Sequence, residues 1–105
     1  MVQREFIKKL KKFLIKLNKH IKVDKVILFG SRAEGNYNKY SDVDLIIVSE
    51  DFAGKNFFER ASIMYNYWDI DLPVDFLCYT NKEFNNLKNR ITIVSEALKK
   101  GIVLN

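Results

Sequence analysis

Between residues 3 and 21, apolar side chains recur at Phe6, Ile7, Leu10, Phe13, Leu14, Leu17 and Ile21, with lysines filling many of the positions between them. Steps of three and four residues gather those groups into one stripe of an amphipathic helix. The period then changes. Residues 24–29 (DKVILF) are short, β-branched at the start and stopped by Gly30, which predicts a buried strand. GSRAEG reads as a turn leading into a short helical segment, and residues 36–41 are loop by composition. A second strand is expected from Asp42 to Val48, then a loop containing Gly54. Helical spacing returns over residues 56–68 at Phe57, Ala61, Met64, Tyr65 and Trp68, with Phe57, Met64 and Trp68 expected in the core.

After a turn at residues 69–73, VDFLCY (Val74 to Tyr79) predicts a third strand. Thr80, followed three residues later by Glu83, has the pattern of a capping box. The helix it opens is expected to carry Phe84, Leu87, Ile91, Val94 and Leu98 on one stripe and to stop at Gly101. The apolar tail Ile102 to Leu104 suits a short edge strand or a contact with another chain. The order α-β-(short α)-β-α-β-α describes a small α/β domain, one sheet covered by helices.

Composition adds bounds rather than detail. The 105 residues suit one domain, 1–105, and 48% apolar with 13% aromatic content is that of an ordered globular chain. Apolar runs such as VILF and LIIV fall far short of the ~20 residues of a membrane span. Lysines interrupt every apolar stretch near the N-terminus, so no secretory core is visible and a cytoplasmic location is expected. The single cysteine, Cys78, lies in an apolar run and reads as a small buried hydrophobe. The one histidine, His20, falls near the end of the lysine-rich helix, where a helix-dipole contact or plain solvation is expected. These counts exclude a cysteine-histidine hydrolase and a zinc site built from several such ligands.

The formal net charge of +5 is uneven, because nine of the first 25 residues are Lys or Arg. That face could meet nucleic acid or an acidic partner, but lysine without interleaved arginine is weak evidence for phosphate recognition. A solvated face is the expectation, and nucleic acid is not an expected partner.

The chemistry concentrates in LFGSRAEGNYNKYSDVDLIIV, residues 28 to 48. Asp42 and Asp44 sit two apart in an otherwise aliphatic strand, so they share a face. Charge there is costly unless paired or bound to metal. Asp75, in the third strand, can complete a cluster of three carboxylates if the second and third strands are neighbours. Such a group is relieved by a shared proton or by divalent cations, and a few oxygen ligands suit Mg²⁺ or Mn²⁺. Two such ions would activate an attacking oxygen and stabilise a leaving pyrophosphate. Upstream, Gly30 permits a sharp turn and close approach to a phosphate, and Ser31 offers a hydroxyl and an amide. Arg32 could pair with a phosphate or with one of the carboxylates.

GSRAEG, then SDVDLIIV, then VDF resembles the nucleotidyltransferases of the DNA polymerase β superfamily, and in particular the minimal nucleotidyltransferases with their GSxARG and SDxDLxV pattern. The resemblance spans residues 24 to about 79. It implies a mixed sheet with flanking helices, Mg²⁺ on Asp42, Asp44 and Asp75, and an NTP triphosphate at Gly30 and Ser31. The implied chemistry is transfer of NMP, AMP from ATP by analogy, to a hydroxyl, with Asp75 as general base. Glu34 stands where many relatives have arginine, so one triphosphate contact departs from the pattern. Minimal members are commonly paired with a small helical HEPN-domain protein, in the better understood pairs a toxic ribonuclease that they neutralise by adenylylation. The resemblance therefore implies an antitoxin with Phe57, Phe58, Tyr65, Tyr67, Trp68 and the apolar tail as candidate contacts. A binding module that blocks such a partner by contact, without catalysis, is the alternative.

Overall fold

The structure, a computed structural model, describes residues 3–35, 37, 38 and 40–105. Its elements in chain order are α1 (Gln3–Asn18), β1 (Lys25–Phe29), α2 (Ser31–Glu34), β2 (Val43–Val48), α3 (Phe57–Tyr65), β3 (Val74–Tyr79), α4 (Asn81–Lys88), α5 (Ile93–Lys100) and β4 (Ile102–Val103). A single turn of 3-10 helix, Glu50–Phe52, follows β2. The four strands form one mixed sheet in the order β3-β2-β1-β4. β1 runs antiparallel to both β2 and β4, and β2 runs parallel to β3. The expected α/β sheet with flanking helices is present, and the tail supplies the short edge strand β4.

Alternation along the strands divides the core in two. Val26, Leu28, Val43, Leu45, Ile47, Phe76 and Cys78 face α1 and α3, where they meet Phe6, Leu10, Phe13, Leu17, Phe52 and Met64. Trp68 stands edge-on to Phe13 and Phe76, with ring centroids 5.0 and 5.7 Å apart. Ile27, Ile46 and Val48 face the other way, against Phe84, Val94 and Ala97 of α4 and α5. Cys78 is buried as expected, and that burial pushes its thiol up to about 12.

Three local expectations are corrected. α1 ends at Asn18, whose side chain accepts the Val23 amide and turns the chain toward β1; Ile21 still packs against the core from the turn. His20 follows the helix and stacks on Tyr67, with centroids 4.8 Å apart. The helix expected from Thr80 to Gly101 is two helices. α4 ends at Lys88, and Thr92 starts α5 by accepting the Ser95 amide while donating its hydroxyl to the Leu87 carbonyl. Ile91 falls in the break and is fully exposed, and Leu98 is 37% exposed, so neither joins a buried stripe.

β3 is an outer strand of the sheet. Two of its carbonyls that point away from β2 are occupied by α3: Tyr65 donates its hydroxyl to Val74 O (2.8 Å) and Arg60 donates Nη1 to Cys78 O (3.1 Å). Arg60 also pairs with Glu83 at 2.6 Å, fastening α3 to the start of α4. This hydrogen bond from Arg60 is the main cause holding the Glu83 carboxyl below its ordinary value.

Candidate active site

Register brings the carboxylates together. Asp44 stands opposite Phe29 on one side and Asp75 on the other, so two carboxylates are neighbours across the β2–β3 ladder. Asp42 lies just before β2, which begins one residue later than expected, with the Val43 amide bonded to Pro73 O. Asp44 is half-buried, whereas Asp42 and Asp75 are exposed. Burial raises the Asp44 carboxyl above its ordinary 3.8, and the charges of Asp75 and then Asp42 raise it further.

Gly30 closes the strand that faces Asp44. Its φ of +74° is a conformation that side chains disfavour, and a Cβ there would overlap Asp44 Oδ2. The Asp44 carboxylate therefore occupies space that only glycine leaves. Ser31 opens α2, whose first amides have no carbonyl inside the helix to bond.

Among the described residues, no three acidic, thiol or imidazole groups already close into a ligand set. The donor chemistry nevertheless fits a hard divalent ion: three carboxylates act on one another, and Mg²⁺ takes one or two carboxylates while keeping waters and sharing substrate phosphates.

Two depressions flank Phe29, the residue opposite Asp44. One, of about 380 Å³, is lined by Asp44 and Asp75 together with Phe57, Phe58, Tyr65 and Ile93. The other, of about 250 Å³, lies beside Gly30 and includes Glu34, Glu96 and Lys100. Phe29 and Ile93 border both. A larger depression of about 490 Å³ lies beyond Phe57, around the Arg60–Glu83 pair, and the guanidinium there is already bonded to Lys55 O, Cys78 O and Glu83.

Arg32 is not in this groove. It is 1% exposed, donating Nε to Ser41 O (3.0 Å) and Nη2 to Asn38 O (3.4 Å). The guanidinium lies between the rings of Phe6 and Tyr37. Its hydrogen bonds go to backbone carbonyls rather than to a cluster carboxylate, and they anchor the loop that leads to Asp42. The aromatic helix also divides. Phe57, expected in the core, is 47% exposed and borders the cleft with Phe58 and Tyr65, while Trp68 packs inward and Tyr67 meets His20. Ile93 and Lys100 were not singled out from the sequence. Thr92 followed three residues later by Ser95 was the available signal for the second helix, and hence for Ile93 at the cleft.

A model of the nucleotidyltransferase domain matches residues 7–100, from the first helix to the end of α5. The chain belongs to that family. Within it, MntA of Haemophilus influenzae, provisionally assigned as a protein adenylyltransferase, is 33% identical over 78 residues, covering 70% of this chain and 67% of MntA. MJ0141 of Methanocaldococcus jannaschii, given the same provisional assignment, is 50% identical over 44 residues, covering 42% of this chain and 43% of its own. Among solved structures, a provisionally assigned nucleotidyltransferase of Sulfolobus solfataricus aligns with a TM-score of 0.70 at 22% identity, over 96% of this chain and 80% of that one. A chain from a toxin–antitoxin structure with AMP-PNP aligns with a TM-score of 0.57 at 22% identity, over 90% and 72%. With those two the fold is what is shared. Among the described residues, no helix is long and apolar enough to cross a membrane.

Proposed function

We propose that this nucleotidyltransferase-domain chain transfers AMP from ATP, with Mg²⁺, to a hydroxyl of a protein acceptor, as the antitoxin of a pair with a HEPN-domain toxin. The observation that carries the reading is the Asp44–Asp75 pairing across β2 and β3, beside a glycine whose missing side chain makes room for Asp44.

Asp42, Asp44 and Asp75 would hold two Mg²⁺ ions, which supply charge neutralisation at the phosphates and at the attacking oxygen. Gly30 and Ser31 let the backbone approach the triphosphate. Asp75, exposed in the aromatic depression, takes the proton from the acceptor hydroxyl. The hydroxyl oxygen bonds to the α-phosphorus, the bond to the β-phosphate bridging oxygen breaks, and pyrophosphate leaves. Phe57, Phe58 and Tyr65 beside Asp75 favour an acceptor carried on an apolar protein surface. The provisional assignments of MntA and MJ0141 support the same class of acceptor. The shared fold with a chain of a toxin–antitoxin structure supports a protein partner by analogy.

Two exposed apolar side chains, Phe58 (81%) at the cleft and Ile91 between α4 and α5, favour one second reading, a module that blocks its partner by contact alone. Calorimetric titration with ATP, GTP, CTP and UTP, with and without Mg²⁺, separates the two when run beside the Asp42→Asn/Asp44→Asn variant. Mg²⁺-dependent ATP binding lost in the variant, followed by a gain of one adenylyl group on the partner, is the expected result. Neutralisation of the partner that persists in the variant would leave contact alone as the function.

A further inference from the structure

The two depressions on either side of Phe29 and Ile93 differ in chemistry, and the difference assigns them. The one containing Asp75 has aromatic walls; the one beside Gly30 is lined by Glu34, Glu96 and Lys100. A phosphate brought beside Gly30 would meet the second, whose lining includes the carboxylates of Glu34 and Glu96. Like charges oppose binding there unless a cation stands among them. Among the described residues bordering this depression, Lys100 is the cation.

Lys100 is also free to serve. Its ion pair with Glu96, one helical turn before it, spans 3.9 Å, and the two side chains are 61% and 53% exposed. Pairs of that kind are weak and readily exchanged. Lys99 contacts the same Glu96 at 4.0 Å but does not border the depression, so one carboxylate holds two lysines of which one faces the site. Glu34, at the end of α2, adds a second carboxylate to the same lining and cannot itself bind phosphate.

We propose that Lys100, carried to the site by the last turn of α5, is the residue that binds the β- and γ-phosphates of the nucleotide, and that Glu34 opposes it. The inference rests on the nucleotide-transfer reading and adds a ligand from outside the glycine–aspartate motif. It makes α5 part of the active site rather than only a cover for the sheet.

The test is calorimetry with ATP, AMP and inorganic pyrophosphate, each with Mg²⁺, on the full chain and on Lys100→Gln, Lys99→Gln and Glu34→Gln. Loss of one charge-assisted contact weakens ATP and pyrophosphate binding about tenfold in Lys100→Gln, with AMP changed less than about twofold. Lys99→Gln binds ATP as the wild type does, and Glu34→Gln binds it more tightly. Opposite signs at two surface positions, confined to ligands with β-phosphates, are not produced by a loss of structure. ATP affinity unchanged in Lys100→Gln, or ATP and AMP weakened equally, overturns the assignment while leaving the transfer reading intact. A wild-type chain that binds none of the three ligands overturns both.

Discussion

The two faces of the sheet carry different loads. Toward α1 and α3, buried side chains run the full length of the strands, from Val43 and Val74 at one end to Ile47 and Cys78 at the other. Toward α4 and α5, the buried part ends at Ile46, and the next positions along β2 and β3 on that side are Asp44 and Asp75. The helix cover on that side is two helices of eight residues with an exposed Ile91 between them. The first face makes the domain stable. The second leaves one end of the sheet uncovered, and charge can be kept there because the same strands are secured from behind.

That contrast can be broken from either side. The largest effect is expected from Phe13→Ala, which empties a site contacted by Trp68 and Phe76. It should cost about 3–5 kcal/mol, read from denaturant unfolding, while sparing nucleotide affinity in the folded fraction. Gly30→Ala comes next, because it strains a backbone at φ +74° and forces the Asp44 carboxylate aside. A loss of about 1–3 kcal/mol is expected, accompanied, unlike Phe13→Ala, by loss of Mg²⁺-dependent ATP binding. Thr92→Ala removes the cap that starts α5 and should cost about 1 kcal/mol, lowering the melting temperature by several degrees.

The smallest effect is a pH dependence. The Asp44 carboxyl titrates higher in the folded chain than in the unfolded one, because burial and then Asp75 and Asp42 disfavour its charge. The folded state therefore holds more protons across that window, and stability falls as pH rises from 3.8 through the raised value. Asp44→Asn should be slightly more stable than the wild type at neutral pH without metal. The difference should vanish below the window, and Mg²⁺ should raise the melting temperature of the wild type alone.

Much of this was legible because strand periodicity is strict. Asp42 and Asp44 two residues apart in an aliphatic run announce one polar end of one face, and GSRAEG before them announces a turn at the same end. The split between α4 and α5 was not legible, because Ile91 fits a helical stripe and the break is set by Thr92, whose hydroxyl finds the Leu87 carbonyl only once the chain has turned. Arg32 misled for a similar reason. An arginine just after a glycine–serine turn invites an anion, yet its guanidinium turns inward to the carbonyls of Ser41 and Asn38, a choice made by loop geometry rather than residue type. Lys100 escaped notice because it is one lysine among many until the fold brings it beside Gly30.

The outer strand beside the site has a consequence for how this protein keeps company. An unpaired strand edge is a template on which another chain can polymerise, and fibrous aggregates grow by that route. Here Tyr65 and Arg60 already occupy the carbonyls of Val74 and Cys78, one on either side of the middle of β3. A foreign strand pairing along the whole of β3 would have to displace a phenol and a guanidinium. The edge next to Asp75 is thus guarded at two of its carbonyls by side chains of α3, which sets strand pairing there against contacts the fold already makes.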